Sequence, residues 1–182
     1  MSDDASDVAD EELLARSAAG DRLAFDRLAA RHLQRIYRIA YRLLGHAADA
    51  EEVTQDALVR VWQHADRFDP HRARFSTWCY RIVVNLALSL KRRPVPEPIE
   101  AAADLADSAA DPETTAAARE RRRALDAALA ALPDRQRAAL ALVYDEELSG
   151  EEAAAILEIG PRALEGLLRR GRQSLREWLA RR

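Results

Sequence analysis

Residues 149–182, SGEEAAAILEIGPRALEGLLRRGRQSLREWLARR, decide the fold. The spacing predicts a short helix over 149–157, a turn over 158–161 and a longer helix over 162–179. Around the longer helix Leu164, Leu167, Leu168, Gly171, Leu175, Trp178 and Leu179 fall on one side. Arg162, Glu165, Arg169, Arg172, Gln173 and Arg176 fall on the other. A helix that is apolar behind and arginine-rich in front, entered through a short helix and a tight turn, has the layout of a helix-turn-helix. Ser149 and Glu152 have the spacing of a capping box for its first helix, and Gly160-Pro161 suit the cap and first position of its second. The layout implies duplex DNA as ligand.

Working outward, 182 residues allow one or two domains. Gly is scarce, aromatics are few, and no run alternates as a half-buried strand does, so the expected class is all-α. The net charge of −3 is unevenly spread. Residues 1–93 carry fifteen basic and fourteen acidic side chains, 94–117 carry six acidic and none basic, and 118–182 carry thirteen basic and eleven acidic. From Arg162 onward seven arginines accompany two glutamates, so a weakly acidic chain ends in a basic face. A single cysteine, Cys79, excludes an internal disulfide framework and suits a reducing cytoplasm. No apolar run has membrane-spanning length, and the acidic start is unlike a signal peptide.

The expected organisation is two small helical domains joined by a flexible acidic linker. Residues 1–10 read as a disordered tail and 11–93 as a helical domain with breaks at Gly20-Asp21, Gly45-His46 and Asp69-Pro70. Residues 94–117, opening on Pro94, Pro96 and Pro98, read as the linker, and 118–182 as the helix-turn-helix domain.

Two helices of the first domain carry unusual faces. Over 48–64, Val53, Ala57, Leu58, Val61 and Trp62 make an apolar arc. Asp49, Glu52 and Asp56 share another face, with Gln55 and Val59 at its edge. Such a face either docks on a basic partner or is simply solvated. Over 76–92, Cys79, Val83, Leu86 and Leu90 form a core stripe. Trp78, Arg81, Asn85 and Ser89 form a second face, closed by Lys91, Arg92 and Arg93. A ring to stack on an unpaired base, an amide to read its edge and cations for phosphates suit single-stranded nucleic acid. The alternative is a partly buried tryptophan with cations complementing the helix dipole.

The order of these parts resembles the sigma-70 family of RNA polymerase sigma factors, in its small two-domain extracytoplasmic-function (ECF) branch. The resemblance covers about residues 11–93 and 118–182. Gly20-Asp21 with Ala24, Phe25 and Leu28 resembles the opening of the family's region 2, and residues 49–56 resemble its polymerase-docking segment. Residues 75–85, FSTWCYRIVVN, resemble the segment that melts and reads the −10 element. Leu132-Pro133 through Arg137, followed by Leu148-Ser149, resembles the start of region 4.

The resemblance implies that Asp49, Glu52, Gln55 and Asp56 dock on the β′ clamp of core RNA polymerase, with a second contact at the β flap. It implies that Trp78, Arg81, Asn85, Lys91, Arg92 and Arg93 face −10 DNA. Asn85 and the segment 88–93 would line a pocket for a flipped base, whose unstacking costs a few kcal/mol. Arg162, Glu165, Arg169, Arg170, Arg172 and Gln173 would face the −35 duplex. It further implies promoter DNA and an anti-sigma factor as partners, a cytoplasmic protein that joins the nucleoid when active, and no membrane insertion.

Two positions depart from the family pattern. Glu165-Gly166-Leu167 replaces a common Lys/Arg-Ser-Arg run, so relatives' −35 preference does not transfer. Cys79 replaces a large aliphatic and reads as packing. His32, His46, His64 and His71 are scattered, and no metal site, cofactor site or nucleophile motif is visible, so no enzyme is expected. Two other readings compete. One is a helix-turn-helix repressor that binds a palindrome unaided. The other is a sigma-like decoy that captures an anti-sigma protein.

Overall fold

The computed structural model describes residues 8–92 and 116–181. Arg93, the first seven residues of the expected tail and nearly all of the expected linker lie outside the described residues. Among the described residues every regular element is helical. In chain order these are α1 (Asp10–Ala18), α2 (Arg22–Leu44), α3 (Ala47–Gln63), a 3-10 turn (Ala65–Arg67) and α4 (Phe75–Lys91). Then come α5 (Ala116–Ala130), α6 (Asp134–Leu140) running into a π turn (Ala141–Asp145), α7 (Gly150–Leu157) and α8 (Pro161–Ala180).

Local chemistry sets the boundaries. Asp21 caps α2 by accepting from the Ala24 amide at 3.1 Å. It also takes the Arg16 guanidinium at 2.7 Å, and that bond, with the amide, holds its carboxyl below the usual range. Gly45 ends α2 at φ 74°, the left-handed conformation that costs a residue without a Cβ little. The expected tail is corrected at its end. Asp10 opens α1, and its carboxylate takes Arg31 at 3.0 Å and His32 Nε2 at 2.6 Å. His32 Nδ1 faces the Tyr80 hydroxyl at 2.9 Å, so this acidic residue pins α1 to α2 and, through His32, to α4.

The core stripe of α4 is also corrected. Phe75, Cys79, Tyr80, Val83, Val84, Ala87 and Leu88 are buried, whereas Leu86 and Leu90 are half-buried. Helix α4 is covered on more than one side, by α2 and α3 and by α7, so its buried arc is wider than a single stripe. The two modules dock. Ala138, Ala139, Leu142, Ala153, Ala154, Ile156, Leu157 and Leu164 join the residues of α1–α4 in one continuous apolar core. Small side chains on α7 let α4 approach closely, as they do between packed helices generally.

The capping box at α7 forms as its spacing predicts. Ser149 Oγ accepts from the Glu152 amide at 3.2 Å, and Glu152 Oε2 accepts from the Ser149 amide at 3.0 Å. The Ser149 hydroxyl, then its amide, holds the Glu152 carboxyl below the usual range. Ser149→Ala is expected to cost about 1 kcal/mol in denaturant titration at neutral pH. A lowered carboxyl stabilises the fold above its unfolded value and stops doing so as pH falls through the folded one. The share of the loss carried by Glu152 therefore disappears below its ordinary 4.5. A difference between the two chains that is constant with pH would place the whole effect in the serine.

Candidate functional site

Three surfaces hold the residues singled out in the sequence. The first is the outer stripe of α3. Asp49, Glu52, Gln55 and Asp56 lie together on it at helical spacing, and the last three are exposed. Asp49 sits in the first turn of α3, with His46 Nδ1 3.5 Å from its carboxylate, where a negative charge favours the helix dipole. The stripe continues into apolar surface. Val59 is 51% and Trp62 37% exposed, and the Trp62 ring meets Phe25 edge-on at 5.0 Å. A carboxylate stripe ending on an exposed aliphatic and an indole is suited to a partner that is basic and partly apolar.

The second surface is an open cleft of about 320 Å³ between α3, the 3-10 turn and α4. Trp78, Ile82 and Asn85 of α4 line one wall, and Arg60, His64 and Arg67 line the other. Trp78 is held by Phe68 at 5.4 Å and Phe75 at 6.3 Å between ring centres, which fixes the indole in place. The sequence reading found Trp78 and Asn85 but missed the facing wall. The spacing of residues 60, 64 and 67 was its available signal.

Other members of the expected −10 set lie elsewhere. Arg81 points to α7, with its guanidinium 3.5 Å from Glu158, and Lys91 Nζ donates to Asp134 at 2.8 Å. Leu88 is buried. Of the residues expected to line the flipped-base pocket, Asn85 lines this cleft and residues 88–92 do not. Tyr80 is buried too, and burial pushes its phenol up to about 12, which suits a hydroxyl committed to His32. Cys79 is fully buried with its thiol pushed up to about 12 by burial, as a packing residue would be.

The third surface is the outer face of α8. Arg162, Glu165, Arg169, Arg170, Arg172 and Gln173 are all exposed. Arg172 donates to the Tyr144 hydroxyl at 3.2 Å, and Gln173 donates to Glu177 at 2.9 Å. Arg170 folds back over Gly166, where a Cβ would stand 3.3 Å from its guanidinium. Behind this face Leu164 is buried. Gly171 is buried too, where an added Cβ would stand 2.9 Å from the Leu140 side chain. The missing side chain is what lets α8 press onto α6 and aim its arginines outward. The turn before α8 sets Glu158 at φ 54°, a left-handed conformation uncommon for a residue with a side chain.

The reading also missed the seam between modules. Arg35 and Arg38 converge on Glu146, whose side chain is 1% exposed, and Arg42 takes Asp126 at 2.8 Å and Asp145 at 3.0 Å. Their spacing on α2 was visible, but their partners lie more than eighty residues away.

An exposed arginine helix behind a short helix and a turn, docked to a module with its own cationic cleft, is the build of a two-module DNA-binding transcription factor. The profile of Sigma-70 region 2 matches residues 28–94, and that of Sigma-70 region 4 matches residues 122–175. The chain is 38% identical over 170 residues to the ECF RNA polymerase sigma factor SigE of Mycolicibacterium smegmatis, covering 90% of this chain and 65% of that protein. It is 31% identical over 171 residues to the ECF RNA polymerase sigma factor SigW of Bacillus subtilis, covering 88% of this chain and 91% of that one. The solved structure of CnrH in complex with the cytosolic domain of CnrY superposes with a TM-score of 0.72 at 28% identity, over 95% of this chain and 98% of that one. The chain belongs to the sigma-70 family, in its ECF branch. These likenesses favour neither the repressor nor the decoy reading. No helix among the described residues is long and apolar enough to cross a membrane.

Proposed function

We propose that the chain directs core RNA polymerase to promoters through three separate surfaces. Asp49, Glu52, Gln55 and Asp56 on α3 meet the polymerase, with Val59 and Trp62 extending the contact. Trp78 and Asn85 take an unpaired −10 nucleotide, while Arg81, Lys91, Arg92 and Arg93 meet the phosphates around it. Arg162, Glu165, Arg169, Arg170, Arg172 and Gln173 enter the −35 major groove. A polymerase flap contact through the second module completes the docking. RNA synthesis belongs to the polymerase, and the chain supplies promoter choice and strand capture without catalysis of its own.

One observation carries this reading. The carboxylate stripe, the aromatic cleft and the arginine helix all stand on the surface at once, each with the chemistry its ligand needs. The pairs Arg81–Glu158 and Lys91–Asp134 occupy two of the −10 cations in the docked arrangement, so phosphates that engage them must displace Glu158 and Asp134. CnrH is held by the cytosolic domain of CnrY in its solved structure. By that likeness, an anti-sigma protein is the partner we assign to the unengaged chain.

Run-off transcription with sigma-free core polymerase and fragments of the source genome tests the proposal. Discrete transcripts are expected with the chain present. Asp56→Arg sets a cation against a basic partner, and that reversal is expected to cut the transcripts about tenfold or more. Tight, unaided binding to a palindromic duplex, with no binding to core, would replace this reading with a repressor.

A further inference from the structure

The π turn after α6 is held by two neighbours, α2 and α8. Helix α6 ends at Leu140 and passes into Ala141–Asp145, which the Glu146 amide closes by donating to the Ala141 carbonyl at 3.0 Å. Turns of this width are rare and gather at functional sites. The side chains of Asp145 and Glu146 are committed to the first module, where they hold Arg42, Arg35 and Arg38. Tyr144 instead meets α8. Its ring is 52% exposed, and its hydroxyl accepts from Arg172 Nη1 at 3.2 Å. Helix α8 meets the end of α6 where Gly171 lies against Leu140, so Arg172 and the start of the π turn each follow directly on that contact. Among the described residues Arg172 is the one arginine of the outer α8 face whose guanidinium has a hydrogen-bond partner. An exposed arginine samples many rotamers, and fixing it on a ligand costs the entropy of losing them. A side chain already held in one arrangement loses less on binding. The hydroxyl takes one N–H of the guanidinium and leaves the rest of the planar fork for a base edge or a phosphate.

We infer that Tyr144 is a positioning residue of the −35 site. Its hydroxyl holds the Arg172 guanidinium ready for the duplex, and the π turn places the ring where that bond can form. This rests on the assignment of α8 as the −35 helix. Tyr144 acts through Arg172 rather than on DNA itself, so its contribution exists only where the arginine and the −35 duplex are both present. The grip of Asp145 and Glu146 on α2 fixes the turn from which the ring projects.

The test uses the full chain on core polymerase and the promoter recovered by run-off transcription, as two labelled duplexes. One carries both elements, and the other is cut between them so that the −35 element is missing. Arg172→Ala is the control for the −35 assignment and is expected to weaken binding to the complete duplex about fivefold or more. Tyr144→Phe removes only the hydroxyl at an exposed position, and is expected to weaken it about threefold. Neither change is expected to alter binding to the cut duplex, which a general effect on the fold would weaken as well. In the Arg172→Ala background Tyr144→Phe is expected to change nothing further, as two residues acting through one contact do. Unchanged binding for Tyr144→Phe beside an effective Arg172→Ala overturns the inference, and so does an additive loss in the double variant. Tighter binding by Tyr144→Phe overturns it too, because the hydroxyl would then be withholding the guanidinium from DNA. If Arg172→Ala is itself without effect, the −35 assignment of Arg172 falls and takes the inference with it.

Discussion

Replacing Arg137 with alanine is expected to destabilise the chain by about 3–5 kcal/mol and to lower its melting midpoint by on the order of 10 °C. The residue is only 4% exposed, yet it carries a full charge. Its Nε donates to the Leu129 carbonyl at 2.7 Å and its Nη1 to the Leu43 carbonyl at 2.7 Å. Its Nη2 donates to the carbonyls of Leu132, at 3.0 Å, and Ala130. Leu129 and Ala130 end α5, and Leu43 lies at the end of α2. The last carbonyls of a helix lack partners within it and carry its negative pole. One guanidinium thus serves two helix termini and ties the second module to the first. Burial pushes its pKa down, against the pull of Asp134, but an arginine stays protonated at neutral pH. Alanine leaves these carbonyls without their donor at a position that is only 4% exposed. Lysine, a single point of charge, is expected to recover less than half of the loss, because it has no planar fork to span them. Thermal melts of the three full-length chains read the effect. A change below about 1 kcal/mol for Arg137→Ala would mean that water serves the carbonyls as well as the arginine does.

Much of this architecture was legible in the sequence, for a physical reason. The α8 face separates cleanly into leucines and arginines at a period of 3.6, and Ser149 and Glu152 act on their own backbone, so both signals are local. The α3 stripe from Asp49 to Asp56 was legible in the same way. What depends on the packing of one module against the other was not. A helical wheel of α4 shows an apolar arc but cannot tell how many sides will be covered, so Leu86 and Leu90 were placed in the core ahead of Tyr80 and Val84. Arg35, Arg38 and Arg42 look like an ordinary solvated face until Glu146, Asp126 and Asp145 are brought to them. Asp10 looked like tail for the same reason, because its partners Arg31 and His32 lie on another helix. The Arg60–His64–Arg67 wall was hidden differently. Its spacing is local, but only the approach of α4 makes it one side of a cleft.

The second large effect is expected at Glu146. Glu146→Ala is expected to shift the balance between docked and separated modules by a hundredfold or more, from the roughly 3–5 kcal/mol that breaking a buried ion pair costs. Arg38 holds the carboxylate through Nε at 3.0 Å and Nη2 at 2.9 Å, and Arg35 holds it through Nε at 2.9 Å and also donates to the Glu146 backbone carbonyl. The Glu146 bond accordingly pushes the Arg38 guanidinium up from its ordinary value. Around this centre the named ion pairs across the seam run in one direction, with cations from the first module and carboxylates from the second. They are Arg42 with Asp126 and Asp145, Lys91 with Asp134, Arg81 with Glu158 and Arg74 with Glu152. The two most exposed, at 3.5 and 3.7 Å, are worth about 1 kcal/mol or less and fade with salt. Glu146, at 1% exposure, is shielded from that screening. Salt alone should therefore loosen the rim and leave the modules docked, whereas Glu146→Ala should part them at low salt. Energy transfer between dyes on Gln63→Cys and Arg176→Cys reads the separation, and the buried Cys79 stays out of the labelling. An unchanged distance in the alanine variant would assign the docking to the apolar seam of Ala153, Ala154, Ile156 and Leu157 instead. The one-way polarity has a further consequence. On the proposed −10 assignment, Asp134 and Glu158 hold the cations that phosphates would meet, so carboxylates and DNA would compete for Lys91 and Arg81. In the absence of polymerase, the Glu146→Ala chain is expected to bind a single-stranded oligonucleotide several-fold more tightly than the unaltered one, with a steeper salt dependence as those two cations become available to phosphate.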